Sequence, residues 1–169
     1  MINLRKITPG NLGECLRLKV TEEQENFVAS NIESLVEAYA SITNGGFATP
    51  YAIYDDDVMV GFVMYTYLGG PDAVDLMGPT VAPYLTPSYY IWRLLIDKDH
   101  QRKGYGRQAI EKIIAEIKTM PYGEAHSIYT SWEPNNIGSK TLFASFGFEE
   151  TGDVDGDDDD YEIVVRLKL

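Results

Sequence analysis

The chain reads as an α+β protein, a mixed central sheet flanked by helices in the order βααβββαβαββ. Three observations predict this. Apolar and polar residues alternate with period two at both ends of the chain, over residues 2–7 and 161–169. In the middle, Ala109, Ile110, Ile113, Ile114 and Ile117 fall on one face of a helix. Just before that helix, residues 89–96 are aromatic and branched throughout, the pattern of a strand buried on both faces. No repeat, linker or low-complexity tract divides the 169 residues, and that length suits a single domain over 1–169.

The elements follow in order. Ile2, Leu4 and Ile7 alternate with Asn3, Arg5 and Lys6 in the first strand. Thr8 and Pro9 offer an N-cap and an N1 proline for a helix through Leu12, Leu16 and Leu18. Ser30 or Asn31 caps a second helix, whose apolar residues are Ile32, Leu35, Val36, Tyr39 and Ala40. Asn44, Gly45 and Gly46 end it. Residues 51–54 and 58–68, turning at Asp55, Asp56 and Asp57, make a hairpin. A proline- and glycine-rich loop covers 69–88. After the strand at 89–96 and its helix, residues 125–132 form a fifth strand. A short helix then starts at Asn135 or Asn136 and stops at Gly147. Residues 148–151 and 161–169 close the chain as an antiparallel pair.

Between the buried strand and the long helix lies Gln101-Arg102-Lys103-Gly104-Tyr105-Gly106, followed by Arg107. Gly104 and Gly106 let backbone approach a ligand closely. The first amides of the helix lack intrahelical partners and sit at the positive end of its dipole. Arg102, Lys103 and Arg107 add positive charge to a turn that is suited to a phosphate. A dinucleotide fingerprint is excluded because Gln108 and Ala109 stand where its third glycine belongs, and no Gly-Lys-Ser/Thr closes a P-loop.

Composition narrows the partners. Net charge is −12, which opposes nucleic acid and anionic membranes and favours a small cationic substrate; solubility alone is the plainer use of that charge. No apolar run approaches the roughly 20 residues that span a bilayer, and the N-terminus lacks a signal-peptide core. A lone cysteine, Cys15, permits no internal disulfide, so a cytoplasmic setting is expected, with Cys15 a buried structural thiol. His100 and His126 stand far apart, and the acidic stretch 153–160 lacks the spacing of a calcium loop, so no metal is expected.

Gln-x-x-Gly-x-Gly after a hydrophobic strand resembles the acyl-coenzyme A site of the GNAT superfamily of N-acetyltransferases. The stretch Asn136, Ser139, Leu142, Phe143, Gly147 and Phe148 is similar to the family's Asn-x-x-Ala-x-x-Leu-Tyr-x-x-x-Gly-Phe, and the predicted element order is that of the GNAT fold. The resemblance covers nearly all of the chain. It implies acetyl-CoA as co-substrate, with backbone groups of Leu94, Leu95 and Ile96 along the pantetheine arm. It places the pyrophosphate on Gln101, Arg102, Lys103, Gly104, Tyr105, Gly106 and Arg107. Asn136 and Asn135, with Ser139 and Phe143 of the same motif, complete the implied cofactor set. A homodimer is an expectation from the family.

Members that act on polyamines typically carry a glutamate in the strand before the turn and an acid tyrosine in the last helix. Trp92 and Phe143 occupy those places here, and neither transfers a proton. The acid is then Tyr129, a water, or dispensable because a thiolate leaves readily. Candidate bases are Glu133 and the glutamates Glu22, Glu23 and Glu25. The acidic segment 22–31, running into a helix with Glu33 and Glu37, resembles bacterial spermine/spermidine (diamine) N-acetyltransferases. That likeness implies Glu22, Glu23 and Glu25 on distal ammonium groups, with Tyr89, Tyr90 and Trp92 as cation–π faces. An acetyltransferase of proteins or peptides and a non-catalytic acyl-CoA sensor are the alternatives.

Overall fold

The computed structural model describes residues 1–69, 87–157 and 160–169. Seven strands form one sheet: β1 (Ile2–Lys6), β2 (Thr49–Asp55), β3 (Val58–Leu68), β4 (Ser88–Ile96), β5 (Ser127–Trp132), β6 (Glu149–Asp157) and β7 (Asp160–Lys168). Their order is β1-β2-β3-β4-β5-β7-β6. All neighbours are antiparallel except β4 and β5. Among the described residues, four α-helices, α1 (Leu12–Cys15), α2 (Asn31–Thr43), α3 (Tyr105–Ile117) and α4 (Ile137–Ala144), complete the predicted order. The sheet is mixed because α3 carries the chain back between β4 and β5, which makes those two strands parallel. Most of the loop predicted over 69–88, and the tip of the acidic turn near 158–159, lie outside the described residues.

Helix α3 buries the five residues its periodicity marks, Ala109, Ile110, Ile113, Ile114 and Ile117. They pack with Val63, Tyr65, Ile91, Ile128 and Phe143 on one face of the sheet. Each such isoleucine contributes about 1.5–3 kcal/mol when fully buried. On the opposite face, Cys15 and Ala38 meet Ala52, Phe62, Met64 and Leu95.

Both helices on that second face depart from the periodicity. The first is a single turn, Leu12–Cys15, instead of a helix from Pro9 through Leu18. Asn11 Oδ1 accepts from the Thr8 amide at 2.7 Å, so Asn11 rather than Thr8 leads into it. Beyond Cys15, the Lys19 amide donates to Asp97 Oδ2 at 2.9 Å, and the Lys19 carbonyl accepts from the Lys98 amide at 2.7 Å. These bonds draw the chain toward the end of β4 and out of helical geometry. Helix α2 is capped by Ser30 as predicted, but it buries Asn31, Ser34, Ala38 and Ser41 and leaves Ile32, Val36 and Tyr39 exposed. Small residues let the helix approach the sheet closely. The buried Asn31 Nδ2 donates to the Cys15 carbonyl at 2.8 Å, and Ser34 Oγ to the Ser30 carbonyl at 2.9 Å, which offsets part of their desolvation, although Asn31 Oδ1 stays buried without a partner.

Strand β4 holds an irregularity that shapes the site. Met64 of β3 pairs with Arg93, and Tyr65 with Ile91, so Trp92 has no partner across the ladder. A bulge of this kind bends the strand and re-aims its side chains. Trp92 packs toward the face that carries α1 and α2, and Arg93 reaches Glu37 of α2.

Candidate active site

Strands β4 and β5 pair only at Tyr89 with Ile128 and Tyr90 with Tyr129. Thr130 Oγ then donates to the Ile91 carbonyl at 3.0 Å, a side chain in place of a ladder bond. Beyond this point β4 stays with β3 as far as Ile96, while β5 runs on beside β7. The strands diverge, and a cavity of 550 Å³ occupies the gap. Its walls are Ile91–Leu94 and Ile96 of β4, Thr130 and Ser131 of β5, Glu162 of β7, residues of α4, and the segment between α1 and α2.

One end of the cavity is the turn into α3. Arg102 and Gly104 both adopt left-handed backbone, with φ of 59° and 79°. Gly104 caps α3 without a side chain, and no acidic residue stands in the first turn. The Gln108 amide is the first to find a helical carbonyl, that of Gly104 at 3.1 Å. The amides before it belong to the set a helix cannot satisfy internally, so the helix presents donors and a positive dipole end to the cavity. A Cβ on Gly106 would lie 3.6 Å from Ile96 Cγ1 and 3.7 Å from Leu142 Cδ2. The glycine therefore keeps a narrow passage open between β4 and α4. Arg107 is held at the mouth by Ser145 Oγ at 2.8 Å and Glu111 at 3.3 Å.

Of the residues picked for a cofactor, Leu94, Ile96, Gln101, Arg102, Gly104, Tyr105, Gly106, Arg107, Asn136, Ser139 and Phe143 all line this cavity. Gln101 Nε2 ties the turn to the Ile96 carbonyl at 3.0 Å and to Gln24 Oε1 at 2.7 Å. Asn136 caps α4 by accepting from the Ser139 amide at 3.0 Å. Phe143 stacks on Trp132 with centroids 6.0 Å apart, leaving no hydroxyl at that place. Three residues of the set stay off the walls. Leu95 points into the core under α1 and α2, since strand residues alternate faces. Lys103 donates to the Asp99 carbonyl at 3.0 Å, and Asn135 is exposed.

The model of the acetyltransferase (GNAT) family matches residues 16–148. The chain belongs to the acetyltransferase (GNAT) family. The spermine/spermidine N(1)-acetyltransferase of Bacillus subtilis (strain 168) is 26% identical over 154 residues, 91% of each chain. The spermidine N-acetyltransferase of Vibrio cholerae, solved with CoA and spermine, superposes with a TM-score of 0.66 at 18% identity, over 99% of this chain and 94% of that one. Aminoglycoside acetyltransferase AAC(6')-Ib, solved with coenzyme A and kanamycin, reaches a TM-score of 0.75 at 17% identity, over 99% and 95%.

In this GNAT enzyme the other end of the cavity lies between the bulge of β4, β5 and β7. Trp92 lines it, with the Arg93 guanidinium 5.4 Å from its ring centroid. Arg93 donates to Glu37 at 2.8 Å and to the Trp92 carbonyl at 2.9 Å. Glu22, Glu23 and Glu25 are exposed beside the cavity, whose wall is formed by their neighbours Val20, Gln24 and Asn26–Ala29. Tyr89 is not brought to the cavity. It is wholly buried in the core under α3, its hydroxyl donating to the Gly123 carbonyl and accepting from the Tyr122 amide, both at 3.0 Å. Tyr129 is buried beside Tyr90 and Val164, and Glu133 is half-buried after β5; neither forms part of the lining.

Two polar groups at this end carry no mark in the sequence. Ser131 Oγ donates to Glu162 Oε2 in a short hydrogen bond and meets the Tyr90 hydroxyl at 2.7 Å. Burial pushes the Glu162 carboxyl above its ordinary range, against the lowering effect of the Ser131 bond; Asp155 and Glu133 also raise it, and Arg93 lowers it. Burial likewise raises the Tyr90 hydroxyl. In the sequence, Glu162 is one polar position of an alternating strand, and only the β5–β7 pairing carries it to the cavity.

Proposed function

We propose that the protein moves the acetyl group of acetyl-CoA to a primary amine, with a polyamine such as spermidine or spermine as acceptor. The observation that carries the co-substrate is the parting of β4 from β5 over a cavity that ends on the uncapped start of α3. A diphosphate fits the amides and dipole of that helix end, with Arg102 and Arg107 beside it. A pantetheine arm fits the free edge of β4 at Leu94 and Ile96, closed on its other side by Asn136, Ser139 and Leu142. The thioester then lies near Trp92, where a backbone N–H on the unpaired edge polarises its carbonyl.

Support for a polyamine comes from several directions. The chain's likeness to the Bacillus spermine/spermidine enzyme spans 91% of both proteins. The net charge of −12 attracts a polycation. Glu22, Glu23 and Glu25 stand beside the cavity, exposed and able to hold distal ammonium groups.

Thiol release from acetyl-CoA with a panel of amines tests both parts. Turnover with spermidine well above that with an aminoglycoside or a peptide N-terminus is the expected result. Turnover only with peptides would overturn the polyamine assignment. Binding of CoA without thiol release for any amine would overturn acetyl transfer.

A further inference from the structure

We propose that Glu162 is a catalytic residue, the acceptor of the proton that the ammonium group sheds before attack, with Ser131 and Tyr90 as its positioning residues. This rests on the acetyltransfer reading above. An alkylammonium has a pKa near 10, so only about one molecule in a thousand is a free amine at neutral pH. A group in the site must take the proton, and Trp92 and Phe143 cannot. Glu162 lines the same cavity as Trp92 and Ser131, at the end where the strands begin to part, and it is the only carboxylate among the described residues on that wall.

Its surroundings suit the task. Of the charged groups near it, Arg93 of β4 is already joined to Glu37 of α2 at 2.8 Å, so the cation closest to the site is neutralised from the far side. Asp155 of β6 and Glu133 after β5 bear on Glu162 with the same sign as its own, and together with burial they raise its proton affinity toward that of a useful base. Ser131 Oγ holds one carboxylate oxygen and is itself met by the Tyr90 hydroxyl at 2.7 Å, an arrangement that aims the carboxylate. Its other oxygen, Oε1, has no such bond to Ser131 and is the one we assign to the ammonium.

The step balances without a further reactant. The ammonium N–H bond breaks and its proton passes to the Glu162 carboxylate, leaving a neutral amine. The nitrogen pair forms the C–N bond to the thioester carbonyl, the C–S bond breaks, and the nitrogen's surplus proton goes to the departing thiolate. Glu162 then returns its proton to water.

Glu162→Gln preserves shape and removes the base. Expected is a loss of about 10²–10³ in kcat/KM for the amine at neutral pH, with acetyl-CoA binding, read by calorimetry, unchanged. Wild-type kcat/KM should rise with pH as the carboxyl ionises above its ordinary range. The variant should lack that limb, and its deficit should shrink toward the pKa of the amine. Ser131→Ala and Tyr90→Phe should show smaller losses with the limb shifted, not abolished. A Glu162→Gln enzyme that keeps the wild-type pH profile overturns the proposal, whether activity is full or only KM rises. Wild-type protein that binds CoA yet turns over no amine would instead sink the acetyltransfer reading beneath it.

Discussion

At Gly104 the backbone holds a φ of 79°, and at Gly106 a missing Cβ leaves room between Ile96 and Leu142. The two glycines serve different ends. The first sets the turn so that amides converge, and a Cβ there would cost roughly 1 kcal/mol of backbone strain while touching little else. The second keeps the passage clear. Gly106→Val would place methyl groups between β4 and α4, on the path proposed for the pantetheine arm. We expect its affinity for CoA in calorimetry to fall by about tenfold or more, equivalent to about 1.4 kcal/mol, while the fold by circular dichroism is kept. Unaltered affinity would mean that the arm does not pass there. Residue identity alone marks this turn as a helix start that lacks a side-chain cap and is flanked by arginines.

Among the elements, α2 best separates pattern from packing. Its apolar residues Ile32, Val36 and Tyr39 face outward, and Ala38 and Ser34 face the sheet. Periodicity identifies that a helix exists and which residues share a stripe, yet it assumes that the apolar stripe is the buried one. Here only Leu35 of that stripe packs inward, partly buried beside the cluster of Ala38, Ala52 and Phe62, while Ile32, Val36 and Tyr39 stay exposed. Denaturant unfolding can check it: Val36→Lys should change stability by no more than about 0.5 kcal/mol. Ala38→Leu should destabilise by about 1–3 kcal/mol, since Ala38 is buried against Ala52 and Phe62 and a larger side chain overpacks that contact. The opposite order would restore the periodic reading. Helix α3 presents no such conflict: the residues on its apolar stripe are the ones it buries.

Across the whole molecule, a charge of −12 and the exposed glutamates beside the cavity favour capture of a polycation. Attraction between exposed charges is screened within about 10 Å at 0.1 M salt. For spermidine, KM should therefore rise as ionic strength increases, with kcat nearly constant; a salt-independent KM would remove long-range attraction from the account.

The element order, the α3 core, the turn that fits a diphosphate and the α4 motif were all legible in the sequence, since each depends on residues near one another along the chain. Local spacing dictates a helix face, a cap or a glycine turn. The divergence of β4 from β5, the outward residues of α2, the removal of Tyr89 to the core and the hydrogen bond that brings Glu162 to Ser131 were decided only by the tertiary structure. Each is a relation between segments far apart in the chain, set by strand register and by which surfaces fit together, and no local pattern encodes it.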